Sequence, residues 1–185
     1  MSDKVFRMGF DIDGVLCSII PECLSAAQKV GLVPPHITVE DINTDMRIQF
    51  NWPSDGYEKV FTNEFTLSLP PNMDVINDIK SWIKEGHYVI FITARPDQEK
   101  ESTIEWMNKY DLLDGSQGII QIKSALKYIK AQEHNLEIFV DDYPKVIETM
   151  DGVIKYPFLL NGPLNRCHED KYEWNEIRDK INSLK

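Results

Sequence analysis

The segment Phe10-Asp11-Ile12-Asp13-Gly14-Val15 decides the fold. It ends an apolar run over residues 5–12 that is rich in β-forming side chains, which predicts a buried strand. Asp13 lies two residues after Asp11, so both carboxylates point to the same side of an extended chain. Gly14 allows a sharp turn that brings a backbone N–H towards an anion. Because an isolated Asp-x-Asp is more often a surface turn, the rest of the chain must decide its meaning.

Apolar strands alternate with helices in the second half of the chain. Apolar runs predict strands at residues 88–92, 119–122, 138–140 and 153–155. Helical spacing predicts helices at residues 75–83, 98–110, 124–132, 145–150 and 173–184. This alternation predicts an α/β fold, a Rossmann-like three-layer structure with a parallel sheet between two layers of helices.

Residues 18–70 interrupt this pattern. They contain a predicted helix at residues 21–31, the pair Pro34-Pro35, the pair Trp52-Pro53 and scattered aromatic side chains. We predict a small α-helical cap inserted after the first strand, with residues 1–17 and 71–185 forming the core domain. The aromatic residues of the cap are more often packing residues than platforms for a base, and both readings stay open.

Polar side chains follow each strand of the predicted sheet. Asp11 and Asp13 end the first strand, Thr93 ends the second, Lys123 follows the third, and Asp141-Asp142 ends the fourth. In open parallel sheets, ligands bind beyond the carboxyl ends of the strands, so these groups are expected to converge. Clustered carboxylates repel one another unless a cation is present, and an all-oxygen set suits Mg²⁺. The histidines are dispersed, and no Cys/His spacing suggests zinc.

These residue types predict phosphoryl chemistry. Asp11 can attack phosphorus to form an aspartyl-phosphate, and Asp13 can donate and accept protons as the general acid/base. Thr93 and Lys123 complete the predicted catalytic set. The predicted phosphate-binding residues are Gly14, Thr93, Ala94, Arg95 and Lys123, and the predicted metal ligands are Asp11, Asp13, Asp141 and Asp142. Lys127, one helical turn after Lys123, is the alternative lysine; Lys123 is favoured because the helix dipole opposes a lysine at a helix start, which implies a function there.

The motifs resemble those of the haloacid dehalogenase (HAD) superfamily of phosphatases. The matching segments are Asp11-Ile12-Asp13-Gly14-Val15, Ile92-Thr93-Ala94-Arg95, a lysine opening a later helix, and Val140-Asp141-Asp142, spread from Phe6 to about Pro144. The resemblance implies that Asp11 is the nucleophile, that Asp13 is the acid/base, and that Asp142, supported by Asp141, is a direct ligand of Mg²⁺.

Within that superfamily the chain is similar to the 5′(3′)-deoxyribonucleotidases. The shared features are the insertion after the first motif, the run Leu69-Pro70-Pro71, and a tail containing Arg166 and Trp174-Asn175-Glu176-Ile177. Arg95-Pro96 departs from the pattern of the well-studied members. The resemblance implies a magnesium-dependent phosphomonoesterase acting on nucleoside monophosphates. The alternatives are a phosphatase of polynucleotide ends or other small metabolites, a phosphomutase, and a non-catalytic protein that binds a phosphorylated ligand.

Composition narrows the partners. The 185 residues carry a formal net charge of −10, which argues against a nucleic-acid polymer as partner and leaves a small phosphorylated substrate. No apolar run is long enough to span a membrane. Cys17, Cys23 and Cys167 form no Cys-x-x-Cys pair, which favours the reducing cytoplasm. Whether the protein forms a homodimer is left open.

Overall fold

The protein was analysed as a computed structural model, which describes residues 4–184. Within that range, six strands form one sheet: β1 (Arg7–Phe10), β2 (Tyr88–Thr93), β3 (Ile119–Gln121), β4 (Ile138–Asp141), β5 (Tyr156–Leu160) and β6 (Lys171–Tyr172). The strands are all parallel and lie in the order β3-β2-β1-β4-β5-β6. β1 is therefore central, and its last residue, Phe10, pairs with Phe91 on one side and Val140 on the other. The predicted parallel sheet is confirmed.

Helices cover both faces of the sheet. The described helices are α1 (Ile20–Lys29), α2 (Met46–Gln49), α3 (Gly56–Val60), α4 (Asn63–Ser68), α5 (Met73–Lys84), α6 (Lys100–Lys109), α7 (Lys127–Glu133), α8 (Pro144–Met150) and α9 (Trp174–Ser183). Buried side chains of α5, α6 and α9, such as Trp82, Trp106 and Ile177, pack in one cluster with β1 and its neighbours. Ala131 of α7 and Val146 of α8 pack in a second cluster against other sheet residues. The predicted three-layer α/β architecture is confirmed.

One predicted strand is wrong. Residues 153–155 form a turn region, and the strand in this part of the chain is β5, Tyr156–Leu160. Pro157 argues against a strand, because proline cannot donate to the hydrogen-bond ladder. It is tolerated because β6 pairs only with Leu159 and Leu160, so at Pro157 the neighbouring β4 is the sole partner strand within residues 4–184.

The inserted residues 18–70 carry α1 to α4 and their own apolar cluster, which includes Cys23, Leu24 and Val60. Ser18 N donates to Pro70 O at 3.1 Å, and Asn72 N donates to Leu16 O at 2.8 Å. The chain therefore leaves the sheet and returns to it through two paired segments, which we call the stem. The division into core and cap at residues 17–18 and 70–71 stays a prediction.

Side chains of the core hold the inserted segment over the carboxyl ends of the strands. Trp106 Nε1 donates to Leu69 O at 3.0 Å, and Arg166 Nη1 donates to the carbonyl oxygens of Val39 and Glu40, each at 3.0 Å. Arg166, a residue of the predicted family-like tail, thus binds the backbone of the insertion. Over residues 4–184 no helix has the length and apolarity needed to cross a membrane.

Candidate active site

A cleft of about 440 Å³ lies between the insertion and the carboxyl ends of β1, β2 and β4. The sheet side contributes mostly charged residues to its lining, and the insertion contributes aromatic and apolar ones. The charged residues on the sheet side are Asp11, Asp13, Arg95, Glu99, Lys127, Asp141 and Asp142. The convergence expected from the strand ends therefore occurs for the four aspartates.

Asp11 is one of the charged residues on the sheet side of the cleft, which we call the floor. It follows β1 directly, and its N–H donates to Val140 O at 3.0 Å, which ties it to β4. Lys127 Nζ lies 2.8 Å from Asp11 Oδ1 and 2.8 Å from Asp141 Oδ2. Lys127 is 1 % exposed, and although burial lowers its pKa, Asp11 and Asp141 raise that pKa above its usual value. The lysine is therefore a fixed positive charge between two carboxylates.

Lys123 was preferred over Lys127 as the catalytic lysine, and the structure places Lys127, not Lys123, in the cleft. Lys123 is exposed, does not line the cleft, and makes no ion pair with any residue of the described range. Residues Ser124–Leu126 form a 3₁₀ turn, so α7 begins one turn later, at Lys127. Side chains of helical residues point back towards the helix N-terminus, and this direction carries the ammonium of Lys127 into the cleft.

Asp141 and Asp142 have different surroundings. Both oxygens of Asp141 are engaged, since Oδ2 accepts from Lys127 and Oδ1 accepts from Tyr143 N at 2.9 Å. The Asp142 carboxylate accepts no hydrogen bond from residues 4–184, and it lies against Gly14. Gly14 has φ 82°, and a Cβ there would stand 2.0 Å from Asp142 Oδ2, so this position requires glycine for both its backbone and its space.

Asp11, Asp141 and Asp142 form a buried carboxylate cluster whose ligand atoms lie within 4.8 Å of one another. Burial raises the pKa of Asp11 to about 7, with Asp141 and Asp13 adding to the rise and Lys127 opposing it. Burial also raises the pKa of Asp142 well above its usual value. The single ammonium of Lys127 does not balance the charges of three carboxylates. A hard cation with oxygen ligands would balance them, so these residues fit Mg²⁺.

Asp13 lies apart from this cluster. Its carboxylate pairs with the guanidinium of Arg95, with Nη2 to Oδ1 at 2.6 Å and Nε to Oδ2 at 3.0 Å. Among the described residues, the group of three carboxylates within ligand distance therefore does not include Asp13, which was predicted as a metal ligand. Arg95, predicted to bind phosphate, is engaged by a carboxylate.

The other residues predicted after β2 have contrasting positions. Thr93 is fully buried, and its Oγ1 accepts from Arg95 N at 3.2 Å, which shapes the turn. Ala94 is exposed and lines the cleft. Thr93 therefore supports the turn in which Ala94 lies against the cleft.

The roof of the cleft comes from the insertion. Tyr57 and Phe61 stack with ring centroids 4.3 Å apart, and both line the cleft together with Trp52. Trp52 Nε1 is buried and finds no hydrogen-bond acceptor among the described residues. Arg47 also lines the cleft and is paired with Asp45. The insertion therefore lines the roof with three aromatic side chains.

Glu99 joins the roof to the floor, and the sequence analysis missed it. It is 3 % exposed, and it accepts hydrogen bonds from the hydroxyl of Tyr57 and, at 3.4 Å, from Thr66 Oγ1. Burial raises the pKa of Glu99. No motif marks this residue, because its partners come from the insertion, and its role is visible only when the two parts are assembled.

Magnesium is expected to stabilise the fold, and more at neutral than at acidic pH. The native state holds a proton on Asp11 between its usual pKa of 3.8 and about 7, so without metal this group's contribution to stability falls as pH rises through that window. A ligand at 100 times its Kd adds about 2.7 kcal/mol, which corresponds to a rise in Tm of about 5–10 °C. We expect this rise at pH 7.5 and a smaller one at pH 5, measured by thermal unfolding.

Matched variants check where the metal acts. Asp142→Asn removes a carboxylate of the buried cluster and is expected to lose most of the Mg²⁺-dependent rise in Tm. Asp114→Asn removes an exposed carboxylate and is expected to keep the Mg²⁺-dependent rise in Tm. An equal rise in both variants would place the bound cation elsewhere.

Comparison with known proteins gives two sequence relatives. The chain is 26% identical over 153 residues to a protein of Bacillus cereus named "Putative nucleotidase", covering 79% of this chain and 81% of that one. It is 23% identical over 161 residues to a protein of the same name from Oceanobacillus iheyensis, with the same coverage. No protein-family model matches the chain.

Solved structures resemble the whole chain. A predicted phosphatase from Clostridium acetobutylicum has a TM-score of 0.69 at 14% identity, covering 98% of this chain and 100% of that one. A HAD family hydrolase from Deinococcus radiodurans, solved with bound phosphate and sodium, has a TM-score of 0.57 at 12% identity, covering 97% and 96%. The chain therefore has the fold of the HAD-type phosphatases, and in sequence it resembles proteins named as nucleotidases.

Proposed function

We propose that this protein is a magnesium-dependent phosphomonoesterase that forms an aspartyl-phosphate on Asp11. The observation that carries the proposal is the contact of Lys127 Nζ with Asp11 Oδ1, at 2.8 Å, inside a buried group of three carboxylates at the cleft floor. A structural ion pair has no need of two further carboxylates, because the added repulsion destabilises the fold. A site that receives a cation and an anionic phosphoryl group accounts for all four residues.

In the first half-reaction, an Asp11 oxygen attacks phosphorus and the bond to the leaving oxygen breaks. Lys127 is placed to offset charge on the transferring phosphoryl group, since it is fixed beside the attacking carboxylate. Asp13 faces the same cleft and donates a proton to the leaving oxygen. The exposed turn at Ala94 offers backbone groups to the phosphate oxygens.

In the second half-reaction, water attacks the phosphorus of the aspartyl-phosphate and Asp13 takes its proton. The bond from phosphorus to the Asp11 oxygen breaks, which releases inorganic phosphate and restores the carboxylate. Asp11 and Asp142 would hold the metal, with Asp141 positioned beside them by Lys127 and the backbone of Tyr143. A bound Mg²⁺ would supply positive charge to the phosphoryl oxygens during both transfers.

We propose nucleoside monophosphates as the substrate class. The names of the two sequence relatives support this class. The roof of the cleft supports it as well, because Tyr57, Phe61 and Trp52 offer aromatic faces for a planar base.

A phosphate-release screen tests this proposal. Purified protein is incubated with ribo- and deoxyribonucleoside monophosphates, sugar phosphates, a 5′-phosphorylated oligonucleotide and 4-nitrophenyl phosphate, each with Mg²⁺ or with EDTA. We expect phosphate release from mononucleotides that depends on Mg²⁺, and little release from the oligonucleotide. A preference for sugar phosphates would reject the substrate class but keep the reaction, and no release from any compound would reject both.

A further inference from the structure

We propose that Arg95 is a positioning residue that holds Asp13 in place for the water step. The inference rests on the proposed function and adds to it a division of labour within the Asp13 carboxylate: Oδ1 is the anchored oxygen, and Oδ2 takes the proton. Arg95 was predicted from the sequence as a phosphate-binding residue, and the geometry points to a different task.

The contacts of the two Asp13 oxygens are unequal. Oδ1 accepts hydrogen bonds from Arg95 Nη2 at 2.6 Å, from Arg95 Nε at 3.2 Å and from Cys17 Sγ at 3.5 Å. Among the described residues, the only hydrogen-bond donor to Oδ2 is Arg95 Nε, at 3.0 Å. The Asp13 side chain is 24% exposed and lines the cleft, whereas the Arg95 side chain is 3% exposed. Oδ2 therefore keeps acceptor capacity on a carboxylate that cannot turn freely.

Arg95 is itself held from several sides. Its Nη1 donates to Thr103 Oγ1 at 3.1 Å, and its backbone N–H donates to Thr93 Oγ1 at 3.2 Å. Its carbonyl oxygen accepts from Gln121 Nε2 at 3.3 Å. A buried guanidinium with fixed backbone and side-chain contacts is a rigid fork, and a two-pronged contact fixes the plane of the carboxylate that it binds. Rigid support of this kind suits a group that must aim at a small water molecule.

Hydrolysis of the aspartyl-phosphate is the step that depends most on the position of the Asp13 carboxylate. Water supplies the oxygen that bonds to phosphorus, its proton passes to Asp13 Oδ2, and the phosphorus–oxygen bond to Asp11 breaks. A good leaving group such as 4-nitrophenolate departs without a proton, so formation of the aspartyl-phosphate from 4-nitrophenyl phosphate does not need Asp13. Loss of the Arg95 contact should therefore slow the second step and spare the first.

Rapid-mixing kinetics with 4-nitrophenyl phosphate and Mg²⁺ test the proposal. For Arg95→Gln we expect a burst of nitrophenol of about one equivalent per enzyme, followed by a steady rate lowered by about 10²-fold. The rate of the burst itself should change by less than about threefold. Intact-mass spectrometry of the acid-quenched variant should show the phosphorylated chain, which a merely structural defect would not accumulate.

Three further variants make the result decisive. Asp13→Asn should reproduce the burst, and Lys100→Gln, an exposed change in the same segment, should behave like wild type. Thr103→Val keeps Arg95 but removes its Nη1 partner, so it should give a smaller burst even if Arg95→Gln fails to fold. Equal slowing of both steps, or no phosphorylated chain in any variant, would overturn the role of Arg95. Inactive wild-type protein would instead reject the proposed function.

Discussion

Asp11→Asn is expected to lower kcat for every accepted phosphomonoester by at least about 10⁴-fold, because an amide cannot form the aspartyl-phosphate. Without Mg²⁺ at pH 7.5, the same variant should be at least as stable as wild type. Asp11 is buried beside Asp141 and its pKa is raised, so removing its charge relieves repulsion within the cluster. Lys127 still keeps Asp141 as a partner.

The measurement combines a phosphate-release assay with thermal unfolding of the same preparations. Asp151→Asn, which alters an exposed carboxylate, is the control and should match wild type in both assays. An Asp11→Asn variant that folds and still releases phosphate in the presence of Mg²⁺ would exclude Asp11 as the nucleophile. Loss of activity together with loss of folding would contradict the electrostatic account of the cluster.

Lys127→Met is expected to have the second largest effect. It leaves Asp11 and Asp141 without the ammonium that contacts both, and breaking a buried pair from one side costs about 3–5 kcal/mol of unfolding free energy. We expect kcat to fall by about 10²–10³-fold, the usual cost of losing one group that stabilises transition-state charge. Mg²⁺ should restore part of the lost stability, because it binds the same carboxylates.

Lys123→Met is the matched control. It makes the same chemical change four residues earlier, at an exposed position outside the cleft, and should alter unfolding free energy by less than about 0.5 kcal/mol. Urea unfolding and steady-state kinetics measure both variants. If Lys123→Met lost activity while Lys127→Met kept it, the assignment of the lysine from the structure would be reversed.

The sequence predicted that the four aspartates of the cleft lie close together, because each stands at the end of an apolar strand. In a parallel sheet the ends of strands share one edge, so Asp11 and Asp141 could be placed together without coordinates. The lysine could not be placed in this way. The choice between Lys123 and Lys127 depends on the 3₁₀ turn at Ser124–Leu126, which delays the helix by one turn and has no clear signal in its residue types.

The arrangement of the roof of the cleft could not be predicted from the sequence either. Trp52, Tyr57 and Phe61 were visible as aromatic residues, but their place in the cleft and the stacking of Tyr57 on Phe61 depend on short helices without strong periodicity. The contact of Arg95 with Asp13 joins residues 82 positions apart. Long-range pairs of this kind follow from the assembled fold and not from local pattern.

The stem has a consequence for how such a protein diversifies. Because Ser18 pairs with Pro70 and Leu16 with Asn72, the two ends of the insertion are adjacent, and the chain leaves and re-enters the core at one place. Loops with adjacent ends tolerate large changes in length and content, since closing a longer loop adds little entropic cost. Exchange of residues 18–70 at the gene level would therefore replace the roof of the cleft and leave the charged residues at the strand ends unchanged.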